Sequence, residues 1–282
     1  MANLTFLKQK NPHPRDLNIT FEPVAHKYTI GAGVYASNDN DGRVMCSHDS
    51  VRPYISVTTW IHSHFEPFDA DAIITRMMAS AKWPSSQYYG QTREEIKAGW
   101  DRTRDEAARL GTEMHEAIEC YYNGTDDRAC PIPPLFLNYV KTHAAHFIPY
   151  RTEWMVYDEE VRIAGSIDMV YEDPSVGDGK TLMIYDWKRT KEIKKTASFE
   201  KYSTTDCINH LPDTNFWHYV LQLNIYKAIL ERNYGKKVTK LMLVCLHPNN
   251  KNGDYLLFKV PILEAEIRDL FELRRGQIQL LL

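Results

Sequence analysis

Asp186, Trp187 and Lys188 close an apolar run that begins at Leu182. Side chains alternate along a strand, so a strand here turns the carboxylate and the ammonium to the same side of a sheet. Alone, the two read as a surface ion pair. The preceding run, residues 163–170, is Ile-Ala-Gly-Ser-Ile-Asp-Met-Val, and it sets Asp168 inside an otherwise apolar strand. An ionised carboxylate buried there is costly unless a cation or hydrogen bonds compensate it. An adjoining strand can bring Asp186 beside it, and two neighbouring carboxylates repel unless a divalent ion neutralises them. Hard oxygen donors of this kind suit Mg²⁺ or Mn²⁺. The other reading of Asp168 is a turn cap or a partner for Lys188.

Two helical faces can add to this set. Within Leu-Gly-Thr-Glu-Met-His-Glu-Ala-Ile-Glu, residues 110–119, His115 and Glu119 share a face beside the apolar stripe that carries Ile118. His115 is then either a ligand or a satisfied residue at the rim of the core. Gly111 weakens a helix, which suggests that a backbone approaches closely there. Gln222 and Tyr226, also four apart, either edge the core or face the site. Between them and Lys188 lies a run rich in cations (Arg189, Lys191, Lys194, Lys195, Lys201) against only Glu192 and Glu200. A solvated loop explains that run, and so does a surface for a phosphate backbone.

The elements that must position these residues follow from periodicity. Residues 21–30 and 54–61 are β-branched and aromatic and read as strands, separated by a turn-rich loop that includes 37–43. A short helix follows them. Thr92 and Glu95 form a capping box for a helix over about 93–122, which Asn123-Gly124 ends. The prolines of 131–134 permit a new helix over 135–146. Runs at 153–158, 161–172 and 182–187 predict an antiparallel meander, 214–233 a helix, 238–246 and 255–260 strands, and the last stretch a helix. This order predicts an α/β fold, a central mixed β-sheet flanked by helices. The division expected is an N-terminal extension containing β-structure (1–90) packed on a core (91–282).

Composition excludes several classes. Thirty-four Lys and Arg against 37 Asp and Glu give a net charge of −3, so the chain is no basic nucleic-acid coat. No apolar run reaches the length of a membrane span, and the first residues lack a secretory pattern. The five cysteines have no C-x-x-C pair and predict reduced thiols. A soluble, intracellular protein is expected. Gly179-Lys180-Thr181 mimics the end of a phosphate-binding loop, but Pro174 stands where its first glycine belongs.

Taken in order, G-x-x-x-H on a helix, G-S-I-D, D-W-K and Q-x-x-x-Y resemble the RecB-type branch of the PD-(D/E)XK nuclease superfamily over roughly residues 100–250. The pieces H-K-Y at 26–28, S-V-T at 56–58 and the stretch 88–96 are similar to extensions on phage and viral exonucleases of this branch. The resemblance implies a restriction-endonuclease-like core. It makes His115, Asp168 and Asp186 ligands of Mg²⁺ or Mn²⁺, with the main-chain carbonyl of Trp187. It gives Lys188 the attacking water and the charge on the phosphate, and places Gln222, Tyr226, Arg189 and Lys191 at the nucleic acid or in support of the site. Ile167 stands where the superfamily's name has Pro, and the second acid is Asp. Relatives with an iron–sulfur cluster carry three cysteines after the Q-x-x-x-Y helix; here only Cys245 follows it, so no cluster is expected.

The function these residues imply is metal-dependent hydrolysis of DNA phosphodiesters, as an exonuclease at ends or single strands in replication, recombination or repair. A helicase, polymerase or recombinase is a possible partner class. Two rivals stand beside it: a catalytically silent nuclease fold that holds DNA or a scaffold partner, and a metal hydrolase of small phosphoesters.

Overall fold

The computed structural model describes residues 4–22, 27–31, 54–125, 131–197 and 201–280. The helices are α1 (Phe6–Lys10), α2 (Val57–His62), α3 (Ala70–Met78), α4 (Arg93–Asn123), α5 (Pro134–Thr142), α6 (Asn215–Asn233) and α7 (Glu264–Gln279). The strands are β1 (Ile19–Glu22), β2 (Lys27–Ile30), β3 (Ile55–Ser56), β4 (Ile148–Asp158), β5 (Ile163–Glu172), β6 (Thr181–Lys188), β7 (Lys237–Cys245) and β8 (Leu256–Lys259).

The expected meander forms, because β4–β5 and β5–β6 are antiparallel. β6 then pairs with β7 in parallel through the α6 crossover, and β8 runs antiparallel to β7, so the sheet is mixed. Alternation along β6 divides its side chains between two cores. Leu182 and Ile184 pack with α2, α6 and α7, whereas Met183, Tyr185 and Trp187 pack with α4 and α5. The result is a sheet with helices on both faces, as the element order predicted.

β5 and β6 do not stay together. β4 covers one edge of β5 throughout. The other edge is shared: β6 pairs with it only from Met169 to Glu172, and β3 only at Ile163 and Ala164. Among the described residues no strand covers the edge at 165–168, and β6 turns away there to follow β7 as far as Lys188. A helix fills part of the gap. A Cβ on Gly165 would fall 2.7 Å from both Cε1 and the hydroxyl of Tyr226, so only glycine lets α6 approach this closely.

Several sequence expectations need correction. Residues 54–61 give only a two-residue strand; Val57 begins a helix instead. The Ser56 hydroxyl accepts from Thr59 N–H, and Val57, Trp60 and Ile61 are buried at helical spacing, so cap and tertiary packing override β-branched propensity. In the 21–30 run β1 and β2 pair antiparallel, with Ile19 opposite Ile30; residues 23–26 between them, and the loop expected over 37–43, lie outside the described residues. The helix expected to reach 146 ends at Thr142, and β4 starts at Ile148, earlier than expected. The short α1 was not anticipated.

The first residues are tied to the sheet by a buried ion pair. Arg151 on β4 lies 2.7 Å from Asp16, which also accepts from Trp154 Nε1 at 2.9 Å. Among the described residues no helix is long and apolar enough to cross a membrane.

The Gly165 contact sets a stability test. Gly165→Ala should lower stability by about 1–3 kcal/mol through overpacking. In a Tyr226→Ala background the same change should cost clearly less, as measured by urea midpoints; additive losses would place the clash elsewhere.

Candidate active site

The site sits where β5 and β6 part. Asp168 is 8% exposed, on the uncovered edge, and its Oδ2 accepts the Trp187 main-chain N–H at 2.9 Å. A side chain here takes the place that a backbone carbonyl would hold in a continued ladder, which keeps the two strands apart and in register. One residue on each side of Trp187, Asp186 and Lys188 follow Leu182 and Ile184 in parity and so share the α6 face. Lys188 Nζ lies 2.7 Å from Asp186 Oδ2, donates to Gln222 Oε1 at 3.5 Å, and stands 4.4 Å from the centre of the Tyr219 ring. Among the described residues, no polar group hydrogen-bonds that Asp186 oxygen beyond its ion pair.

α4 supplies His115 from the other face. Its Nε2 lies 3.1 Å from the Trp187 carbonyl, while Nδ1 is 3.3 Å from Glu153 Oε1 and 3.8 Å from Asp168 Oδ2. Gly111 does not mark a close approach, since a Cβ there would meet open space.

Glu153 is the residue that sequence reading missed. It lies on β4, where Thr152 pairs with Met169 and Trp154 with Ile167, which puts Glu153 opposite Asp168. Its φ of 42° is left-handed, a conformation that a non-glycine residue in mid-strand adopts only under constraint. Ser166 Oγ donates to its second oxygen at 3.0 Å. The available signal was an acid on the strand antiparallel to the one carrying Asp168.

The electrostatics show a site short of positive charge. Burial, reinforced by Asp168, pushes Asp186 up to about 7 despite Lys188. Asp168 is raised as well, by burial first and by Glu153, against the pull of His115 and Lys188. Burial works against a charged His115, yet Asp168 and Glu153 outweigh it and lift the imidazole to about 9. Burial also opposes the Lys188 charge, but Asp186 and Asp168 hold it above the ordinary lysine range. Glu119, four residues beyond His115, is pushed up to about 7 by burial, Glu153 and Glu116. The β1–β2 hairpin brings Tyr28 near the same acids: burial, then Glu153 and Asp168, push its phenol up to about 12.

The donor set fits a hard divalent cation. His115, Glu153 and Asp168 each offer a ligand atom, all within 4.8 Å of one another. Ligands of one Mg²⁺ are at most about 4.2 Å apart; the separations of His115 from Glu153 and Asp168, 3.3 and 3.8 Å, lie within that span, and the set as a whole lies within 4.8 Å. Of the expected ligands, the structure groups His115 and Asp168, with the Trp187 carbonyl alongside; Asp186 stands outside the trio, engaged with Lys188.

The remaining expected residues divide by depth. Gln222 and Tyr226 are 8% and 3% exposed, beneath Lys188 and Gly165. Arg189 is half-buried just past Lys188 and lines a cavity with Met114, Pro133 and Leu246. Lys191 is exposed, and burial followed by Arg189 and Lys191 lowers the pKa of His247. Of the other cations, Lys194 pairs with Glu192 and Lys195 lies over Phe216.

No curated protein matches the sequence significantly. Among solved structures, a candidate exonuclease from Eubacterium rectale is similar over 80% of this chain and 79% of its own, at 10% identity and a TM-score of 0.30. At that score the likeness carries no weight. The model of the PD-(D/E)XK nuclease superfamily matches residues 86–280, which hold His115, Glu153, Asp168, Asp186 and Lys188. With more than half of its length matched, the chain belongs to the PD-(D/E)XK nuclease superfamily.

Proposed function

We propose that this chain is a divalent-metal-dependent deoxyribonuclease of the RecB-type branch, working as an exonuclease on DNA ends or single strands. The observation that carries the reading is a pair of buried aspartates, Asp168 and Asp186, with the half-buried Glu153 opposite Asp168 and only His115 and Lys188 as cations beside them. His115, Glu153 and Asp168 would hold the ion, and Asp186 would join them on exchanging Lys188 for the cation; the Trp187 carbonyl, on the Nε2 side of the His115 ring, orients the imidazole. A bound Mg²⁺ or Mn²⁺ would supply Lewis acidity toward the phosphate and a lower pKa for water.

The chain's own groups do the rest. Lys188 is kept charged by the two aspartates and held over Tyr219, so its ammonium is fixed before substrate arrives. There it orients the attacking water and offsets the charge that builds on the scissile phosphate. Gln222 accepts from Lys188, and Tyr226 packs under Gly165, so both position the site from beneath. Arg189 and Lys191, beyond the strand end, meet the flanking phosphates. The preference for ends over internal sites comes from the RecB-type resemblance. A role in replication, recombination or repair is the setting in which such ends arise.

Three outcomes test this. Lys188→Ala and Asp186→Asn should each lower kcat on DNA by about 10²-fold or more while circular dichroism and the melting temperature show a folded chain; retained cleavage would refute the assignment. Glu153→Gln should act mainly through the metal, raising the Mg²⁺ concentration for half-maximal activity by about 10- to 100-fold; an unchanged metal dependence would remove Glu153 from the ligand set. In timed digests, end-labelled linear DNA should be degraded with Mg²⁺ or Mn²⁺, circular DNA should resist, and chelator should abolish activity. Circles cut as fast as linear DNA would make the enzyme an endonuclease.

A further inference from the structure

One turn of α6 ahead of Gln222, on the same face, stands His218, next in sequence to the Tyr219 that underlies Lys188. His218 forms part of the wall of a cavity of about 550 Å³ between α6, the end of α2 and the start of α3. Nothing in the hydrolytic scheme uses this cavity. Its floor is aromatic: Phe65, 5% exposed, lies 4.2 Å from the His218 ring centre, His62 meets the same imidazole edge-on, and Asp213 holds His218 Nε2 at 3.0 Å. Phe68 lines the same cavity and meets the Trp100 ring edge-on at 6.0 Å, yet it remains 73% exposed. Arg76 and Lys201 also line it.

We infer that this cavity seats one unpaired nucleotide of the strand being cut, its base against the ring of Phe68 and its phosphate toward Arg76 and Lys201. This rests on the nuclease reading and deepens it. The volume lies within the range of small-molecule sites and has no room for a duplex. Aromatic side chains bind bases of any sequence through their π-faces, and cations beside them follow the backbone. The position is the second support. A helical turn is about 5.4 Å long, so a nucleotide beside His218 is a near neighbour of a phosphate at Lys188. The lining carries Glu66, Asp69 and Asp213 beside Arg76 and Lys201; Asp213 is turned to His218 and Asp69 to the α3 N-terminus, where it accepts from Ala72 N–H, so Glu66 is the acid left to face the two cations.

The test uses Phe68, which is 73% exposed and contacts Trp100, and an unchanged melting temperature of each variant shows that the fold is kept. Binding of a fluorescein-labelled single-stranded oligothymidylate is measured by anisotropy with the full chain carrying Lys188→Ala, with and without Phe68→Ala. Phe68→Ala should weaken binding by about 5- to 150-fold, the equivalent of one lost base stack, and Phe68→Trp should restore it. An abasic nucleotide moved along the oligonucleotide should weaken binding at one position by a similar factor, and cost nothing further there once Phe68 is Ala. Equal binding with and without Phe68, or an abasic penalty that survives Phe68→Ala, overturns the subsite. Cleavage by the chain with Lys188 intact is scored on the same oligonucleotide. Phe68-dependent binding without cleavage would keep the subsite and defeat the nuclease reading. Cleavage indifferent to Phe68→Ala would do the reverse.

Discussion

Like charges held together away from water set the terms for this molecule. Glu153 and Asp168, opposite each other on β4 and β5, lie 3.3 and 3.8 Å from the His115 imidazole, and Asp186 on β6 lies 2.7 Å from the Lys188 ammonium. Burial alone raises both aspartates, and each acid worsens the position of the next. A protein without a use for such a cluster would gain by replacing it with apolar residues. The proposed metal centre gives such a cluster a use in an otherwise aromatic and aliphatic sheet.

The fold is arranged to create that cluster. Had β5 and β6 paired along their whole length, the backbone of residues 165–168 would be consumed by a ladder. Their divergence frees it, Trp187 N–H turns to Asp168 instead of a carbonyl, and Gly165 leaves space for Tyr226. From one side α6 brings Gln222 to Lys188; from the other α4 brings His115 to Trp187 and Asp168. Residues ahead of α4 belong to the same arrangement. β3 covers the far end of the shared β5 edge, α2 enters the core on the α6 side, and Tyr28 reaches toward the acids.

What was legible in the sequence was local. Asp186 and Lys188 share a face because strands alternate, Asp168 stood out as a charge in an apolar run, and the 93–122 helix announced itself by Thr92 and Glu95. Those signals need only neighbours in sequence. Glu153 was hidden because its role depends on register across two strands and on a left-handed backbone that no propensity foretells. α2 was hidden because Val57, Thr58 and Thr59 favour strands, and a serine cap with tertiary burial prevails over them. Gly165 was visible as a glycine in a strand, but the ring it admits comes from some sixty residues further along the chain.

Direct titration of the purified, chelator-treated chain with Mn²⁺, followed by electron paramagnetic resonance or calorimetry, goes straight to the charge deficit. One ion should bind per chain in the absence of DNA and raise the melting temperature, and Asp168→Asn should weaken that binding by at least about tenfold. Failure to bind Mn²⁺, or binding that ignores the loss of Asp168, would mean that the buried acids are compensated by the protein alone and that no hydrolytic metal centre exists here.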